Sequence, residues 1–308
     1  MPEQTSTYER RVAALEHDDY DEFAHLGASA PPVRREDVRQ PDGAMVSVLV
    51  WGDARPELVL LHGGGQNAHT WDGVALALRR PLVAVDLPGH GRSSHRPDRD
   101  YWPWRNAGVV AGAIRQLADQ PVVVVGMSLG GLTALRLAAW IPELVRSLVM
   151  VDVTPSVHEV KMTAAQRGTS VLVSADPLFD SFAELVEAAA AASCRPREAV
   201  LLGARHNSYR RPDGRWAWRY DRLWTADDPP LDFSALWSDV DAITCPTMLV
   251  RGGDSFHVPD AHARELERRR PGARLEVVPG ARHAVQSDKP VELATLIDDF
   301  AFFLASRS

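Results

Sequence analysis

Short apolar runs bounded by turn residues recur along this chain, at 45–51, 58–61, 82–85, 121–125, 147–151, 247–250 and 274–278. Several are almost wholly Val and Leu and do not alternate with polar residues. That pattern predicts strands covered on both faces, as in a parallel sheet. Between the runs the apolar spacing turns helical. Residues 104–119 are rich in Ala, Val, Ile and Leu, and 129–141 carries Leu129, Leu132 and Leu135 before Pro142 ends it. Near the C-terminus Leu293, Leu296, Ile297, Phe300, Phe303 and Leu304 form one stripe, with Asp288 as its expected N-cap and Pro290 in its first turn. Strands alternating with helices predict an α/β fold, with βαβ units in a doubly wound, mostly parallel sheet of about eight strands flanked by helices.

The alternation starts near residue 41 and lapses between 154 and 243. Residues 1–40 are polar and charged and read as a short helix or an arm, so the core comprises 41–153 and 244–308. The segment 154–243 is Ala-rich at 188–192, then aromatic and basic through Arg215, Trp216, Trp218, Arg219, Tyr220 and Trp224. No strand-like run interrupts it, so it reads as a mostly helical insertion long enough to cover the edge of the sheet.

A formal net charge of −7 argues against a phosphate backbone as partner, and nucleic-acid binding is not expected. The two cysteines, Cys194 and Cys245, are far apart and lack metal-ligand spacing, which favours a reducing compartment over a disulfide framework. No apolar run follows a basic start at the N-terminus, and none approaches the roughly 20 residues of a membrane-spanning helix. The expectation is a soluble, cytoplasmic protein.

The strongest local signal for chemistry is Gly126-Met127-Ser128-Leu129-Gly130, which follows the fourth of those buried runs and opens a helix. A serine on a sharp strand-to-helix turn needs small neighbours, because its backbone is strained. Its hydroxyl is aimed at the N-terminal end of the helix, where free N–H groups favour developing negative charge. Ser128 is the expected nucleophile. The glycines of His62-Gly63-Gly64-Gly65, directly after the run 58–61, would let main-chain amides approach an oxyanion, with the N–H groups of Gly64 and Leu129 as donors. The string lacks both G-x-G-x-x-G and G-x-x-x-x-G-K-[ST], so it does not read as a nucleotide loop, and His62 is expected to brace it.

Among eleven histidines, position selects the base. His283 lies after the last strand and before the final helix, at the same carboxyl edge as Ser128. His90 and His95 sit nearer the rim, and His257 and His262 follow the sixth run. For the orienting acid, Asp254 is favoured, since Ser128, Asp254 and His283 follow the chain order of such triads. Asp152, at the end of the preceding strand, and Asp260 remain alternatives. No His/Asp cluster has metal spacing, so neither metal nor cofactor is expected.

Together the stretches His62-Gly63-Gly64-Gly65, Asp86-Leu87-Pro88-Gly89-His90-Gly91-Arg92-Ser93, Gly126 to Gly131, Arg251 to Asp254 and Gly280 to His283 resemble the α/β-hydrolase superfamily from about residue 45 onward. The strings HGGGQNAHTWD from His62 and GMSLGGLTA from Gly126 look like those of actinobacterial, particularly mycobacterial, serine esterases. The resemblance implies hydrolysis of carboxylic esters through an acyl-enzyme on Ser128, without a cofactor. It also implies a helical cap inserted after the sixth strand, where 154–243 falls. The loop from Asp86 to Ser93 would border the pocket without taking a chemical step. The substrate is expected to be a small-molecule ester with an apolar portion, met by Trp216, Trp218 or Tyr220 unless these pack the cap's own core. The same triad could instead cleave a thioester or a C–C bond or act as a perhydrolase, and a non-catalytic receptor on this scaffold is the rival from another class. Dehalogenase or epoxide hydrolase chemistry is disfavoured, because it needs aspartate where Ser128 stands.

Overall fold

Every one of the seven apolar runs becomes a strand of one sheet in the computed structural model, which describes residues 7–17, 20–161, 177–193, 195–222 and 231–303. Numbered along the chain, its strands are β1 (Val33–Arg39), β2 (Met45–Trp51), β3 (Leu58–Leu61), β4 (Leu82–Val85), β5 (Val122–Met127), β6 (Val145–Val151), β9 (Thr247–Gly252) and β10 (Arg274–Val278). The order across the sheet is β1-β2-β4-β3-β5-β6-β9-β10. The β1–β2 and β2–β4 pairs are antiparallel and the rest are parallel. Every residue of β3, β4 and β5 is buried, as the unbroken Val/Leu runs require for a sheet covered on both faces.

The eighth strand, β1, was not legible. Its sequence VRREDVR buries only Val38, and it is held by its ladder to β2 across a turn with Gly43 at φ 87°. Charged side chains along an edge strand discourage further strand pairing. Helices Pro103–Leu117 and Leu129–Trp140 match the expected ones. The C-terminal stripe forms a helix Pro290–Asp298 that continues as a π-helical turn Asp299–Phe303, burying Leu293 and Ile297; Leu304 lies outside the described residues. Asp288 does not cap it. Asp288 ends a separate short helix, Val285–Asp288, and its carboxylate accepts the Arg282 backbone N–H at 2.9 Å. No helix among the described residues is long and apolar enough to cross a membrane.

The chain divides into two compact units. The sheet belongs to the unit of residues 29–161 and 229–308; the other takes 1–28 and 162–228, so the expected boundaries at 154 and 243 both fall inside the sheet unit. In the smaller unit the N-terminal helix Thr7–Glu16 packs with helices Phe182–Ser193 and Arg197–His206. Arg205 Nε donates to the Leu15 carbonyl at 2.6 Å, and the Phe182 N–H to Glu16 Oε1 at 3.2 Å. This unit also contains a hairpin of β7 (Ser208–Arg210) and β8 (Trp216–Trp218), turned through Pro212-Asp213-Gly214. Strands of three residues are too short to show a period, which is why the segment reads as helical. Trp216 packs 5.0 Å from Phe182 and Trp218 stacks on Tyr220 at 5.7 Å, so these aromatics form the unit's own core; Trp224 lies outside the described residues.

In the sheet unit a buried polar network fixes the loops that leave β3 and β4. The Asp86 carboxylate accepts the Ala68 N–H at 2.7 Å, the Arg92 N–H at 3.0 Å and Arg35 Nη1 at 2.8 Å. His62 and His90 are wholly buried and neutral. His62 donates from Nδ1 to the Gly63 carbonyl and accepts the Leu87 N–H at Nε2; His90 donates to Pro88 and accepts the Gly65 N–H at 3.0 Å. Burial pushes His62 down to about 4 and His90 to about 3, the neighbouring His62 adding to the second.

Replacing Asp86 by Ala removes the acceptor of the buried Ala68 amide and of the Arg92 amide together with the ion pair to Arg35, and is expected to cost about 3–5 kcal/mol, read as a lower urea midpoint. Unfolded, both imidazoles protonate near pH 6.5. The stabilisation from keeping them neutral is therefore complete above that pH and is lost as pH falls through about 4 and then about 3. NMR of the two rings should show neutral imidazoles at pH 5; imidazolium signals there would contradict this account.

Candidate active site

All the chemistry-bearing loops leave the carboxyl ends of parallel strands, where ligands of open α/β sheets bind. Ser128 stands between β5 and the helix Leu129–Trp140 with φ 51° and ψ −119°, a strained conformation for any residue but glycine. The turn is tight enough that a Cβ on Gly126 would strike the Gly130 carbonyl, and one on Gly130 the Leu61 carbonyl. These two glycines are what let the elbow sit against β3. The Ser128 N–H donates to the Val151 carbonyl at 3.2 Å, which ties the serine to the end of β6.

The glycine loop lies directly beside the serine: a Cβ on Gly63 would come within 3.2 Å of the Ser128 Cβ. Its amides are assigned by their partners. Gly63 N–H donates to Gln66 Oε1 at 3.1 Å and Gly65 N–H to His90. Gly64 and Leu129, the two expected oxyanion donors, have N–H groups without an acceptor among the described residues. Gln286, buried beneath, donates to Thr70 Oγ1 at 3.1 Å and reaches Gln66 Oε1 at 3.4 Å, which links the loop after β10 to the glycine loop.

His283 is brought to a carboxylate, but not to that of Asp254. Its Nδ1 lies 2.8 Å from Asp152 Oδ2, and since a carboxylate only accepts, Nδ1 carries the proton. Asp254 is exposed in the turn after β9, where its N–H donates to the Ala281 carbonyl at 2.9 Å. The structure thus sets His283 against Asp152, the notable alternative, and not against the favoured Asp254. The reason lies in the backbone. Asp152 ends β6 with φ 52°, wholly buried, and its Oδ1 accepts the Gly252 N–H at 3.0 Å while the Ser255 hydroxyl donates to Oδ2. Gly252 in turn packs on the Ala281 and Arg282 carbonyls, leaving no room for a side chain. Asp260 is likewise elsewhere, paired with Arg251 at 2.8 Å.

Two further residues meet here, Ser255, unread in the sequence, and His257, named there only among the rival histidines. Ser255 bonds the Asp152 carboxylate, and His257 stacks on His283 with ring centroids 3.5 Å apart and planes 13° apart. Burial, then the nearby His283, holds His257 neutral, its pKa pushed down to about 2. Asp152, His257 and His283 each offer a ligand atom within 4.8 Å of the others, a cluster that sequence spacing could not reveal because each comes from a different strand end.

The chain matches the Alpha/beta hydrolase family over residues 58–296. It is 45% identical over 285 residues to the Esterase Rv0045c of Mycobacterium tuberculosis, covering 90% of this chain and 94% of that one. A solved structure of that esterase, described by its transition metal inhibition and structural refinement, superposes with a TM-score of 0.78 at 43% identity, covering 91% of this chain and 98% of that chain. The sn-1-specific diacylglycerol lipase ABHD11 of Mus musculus is 31% identical, covering 82% and 83% of the two chains. At the same 31% identity stands the 2-(acetamidomethylene)succinate hydrolase of Mesorhizobium japonicum, with coverage of 80% and 87%. With a family match spanning most of its length and an esterase so similar along nine-tenths of it, this chain belongs to the alpha/beta hydrolase family and is a carboxylic ester hydrolase.

Proposed function

We propose that this ester hydrolase works through Ser128 as nucleophile, His283 as general base and acid, and Asp152 as the carboxylate that orients the imidazole. The observation that carries the assignment is the 2.8 Å hydrogen bond from His283 Nδ1 to the buried Asp152. It fixes the tautomer, so Nε2 holds the lone pair that removes the Ser128 proton. As Oγ attacks the ester carbonyl, the tetrahedral oxygen takes negative charge. The free amides of Gly64 and Leu129 receive it; one such donor is worth about 3 kcal/mol in acyl transfer. Asp152 stabilises the imidazolium formed meanwhile, and His283 then passes its proton to the departing alcohol. Water, activated by the same ring, hydrolyses the acyl-enzyme. His62 and His90 take no proton in this sequence: both are buried and neutral, and they set the glycine loop.

The substrate we assign is a small-molecule carboxylic ester with an apolar portion. A relative named as a diacylglycerol lipase and another as an esterase support that class. Nucleic acid has no role in this reading.

Ser128→Ala is expected to lower p-nitrophenyl ester turnover by at least about 10⁴-fold with an unchanged thermal midpoint, and to abolish labelling by a fluorophosphonate. Asp152→Asn should cost roughly 10³–10⁴-fold in kcat, whereas Asp254→Asn should stay within about twofold of the parent. The reverse ranking in steady-state kinetics would transfer the orienting role to Asp254.

A further inference from the structure

The direction of the Gly64 N–H is set one residue earlier. A trans peptide plane puts that N–H opposite the Gly63 carbonyl, so the dihedral angles of Gly63 decide where the donor points. Gly63 has no side chain to restrain it, and a Cβ there would strike Met127 Sδ. An unrestrained glycine visits more of backbone space than any other residue. Both peptide planes of Gly63 are pinned from outside instead. Its carbonyl accepts His62 Nδ1 at 2.8 Å and the Gln66 N–H at 3.2 Å, and its own N–H donates to Gln66 Oε1 at 3.1 Å.

Gln66 is half-buried, and a free glutamine side chain there would spread over several rotamers. Gln286 holds it, and the order of donors along the line is forced. The Gly63 N–H can only donate, so Gln66 presents its oxygen; facing an oxygen, Gln286 presents its nitrogen. Nε2 of Gln286 divides its two protons between Gln66 Oε1 at 3.4 Å and Thr70 Oγ1 at 3.1 Å. Its own Oε1 has no protein partner among the described residues, so the amide serves through its donor end. Thr70 Oγ1 also lies 3.3 Å from Ser287 Oγ. Gln286 is buried in the short helix Val285–Asp288, directly after His283 and Ala284. The loop that carries the base therefore grips the loop that carries the oxyanion donor.

We propose that Gln286, acting through Gln66, is a positioning residue for ester hydrolysis, keeping the Gly64 N–H aimed at the oxyanion formed on attack by Ser128. The role rests on the serine-hydrolase reading above. In it neither glutamine touches the substrate or exchanges a proton. The oxyanion develops only as the tetrahedral intermediate forms, so a lost aim lowers turnover and leaves substrate affinity alone. Seating of the base and aiming of the donor become one event.

The test uses the full-length protein. Gln66→Met and Gln286→Met keep the side-chain length and remove the amide. With p-nitrophenyl esters each should lower kcat and kcat/KM together by about tenfold, with KM within about twofold of the parent. Outright loss of one oxyanion donor costs about 10²–10³-fold, and a misdirected donor costs part of that. A trifluoromethyl ketone forms a hemiketal on the serine with its oxyanion in the hole, so its inhibition constant should rise by the factor that kcat/KM falls. The acid limb of the pH–rate profile should stay in place, because His283 and Asp152 keep their partners. The double variant should be no slower than the slower single one, since a relay broken once is already broken. Losses that multiply in the double variant would overturn the relay. Parent-like kcat in folded Gln66→Met, or lost turnover with unchanged ketone affinity, would overturn the aiming role. Gln66→Met alters a half-buried side chain and decides the question if Gln286→Met unfolds. Full turnover in Ser128→Ala would overturn the serine-hydrolase reading and this role with it. Parent-like glutamine variants beside an inactive Ser128→Ala would overturn this role alone.

Discussion

A single buried anion organises this active site. Asp152 is withdrawn from water at the end of β6, and a carboxylate there costs several kcal/mol unless its oxygens are met by donors. Three arrive from three places: an amide from the last residue of β9, a hydroxyl from Ser255 in the loop beyond it, and the imidazole of His283 from the loop after β10. The sheet order puts β6, β9 and β10 side by side, so satisfying one charge draws these strand ends into register. The left-handed backbone at residue 152 belongs to the same arrangement, strain concentrated where the surroundings over-determine it. Ser128 joins through its amide bond to Val151, the neighbour of the acid.

How much of this could be read beforehand depended on whether the signal was local. Gly126 to Gly131 and the glycines after His62 announce themselves, because close backbone approach leaves only glycine at fixed spacings. The proposed base, His283, could be picked out by its position between the last strand and the last helix. The acid could not, since Asp152 and Asp254 both precede His283 and both follow strands. A physical cue did exist: Asp152 lies between Val151 and Val153, inside an apolar run, and a carboxylate so placed must find a partner, whereas Asp254 follows two glycines in an open turn. Ser255 carried no cue at all and His257 only that of a loop histidine, their placement arising only when three strand ends meet. The same contrast holds for the fold. Strands β3 to β5 speak through unbroken apolar runs rich in valine and leucine, while β1 hides its pairing behind Arg34, Arg35, Glu36 and Asp37.

Around that anion, the other polar groups are kept uncharged. His62 and His90 trade hydrogen bonds with the loops after β3 and β4 and stay neutral, so the amides of Gly64 and Leu129 are held by a framework whose charge does not change over ordinary pH. Stabilising an oxyanion with fixed dipoles avoids reorganisation as the charge appears. In the proposed mechanism, the charge that alternates is thereby confined to one ring and its carboxylate.

The smaller unit has a consequence for biosynthesis. Its N-terminal helix is bonded by Phe182 and Arg205, which lie 166 and 190 residues beyond their partners Glu16 and Leu15. Chains are made from the N-terminus at a few residues per second and local contacts form first. The helix thus leaves the ribosome before anything it can pack on exists, and its half-apolar face must wait, exposed, while much of the sheet unit is synthesised. In that interval the helix Thr7–Glu16 is open to holdase chaperones, and it is among the last segments to be settled.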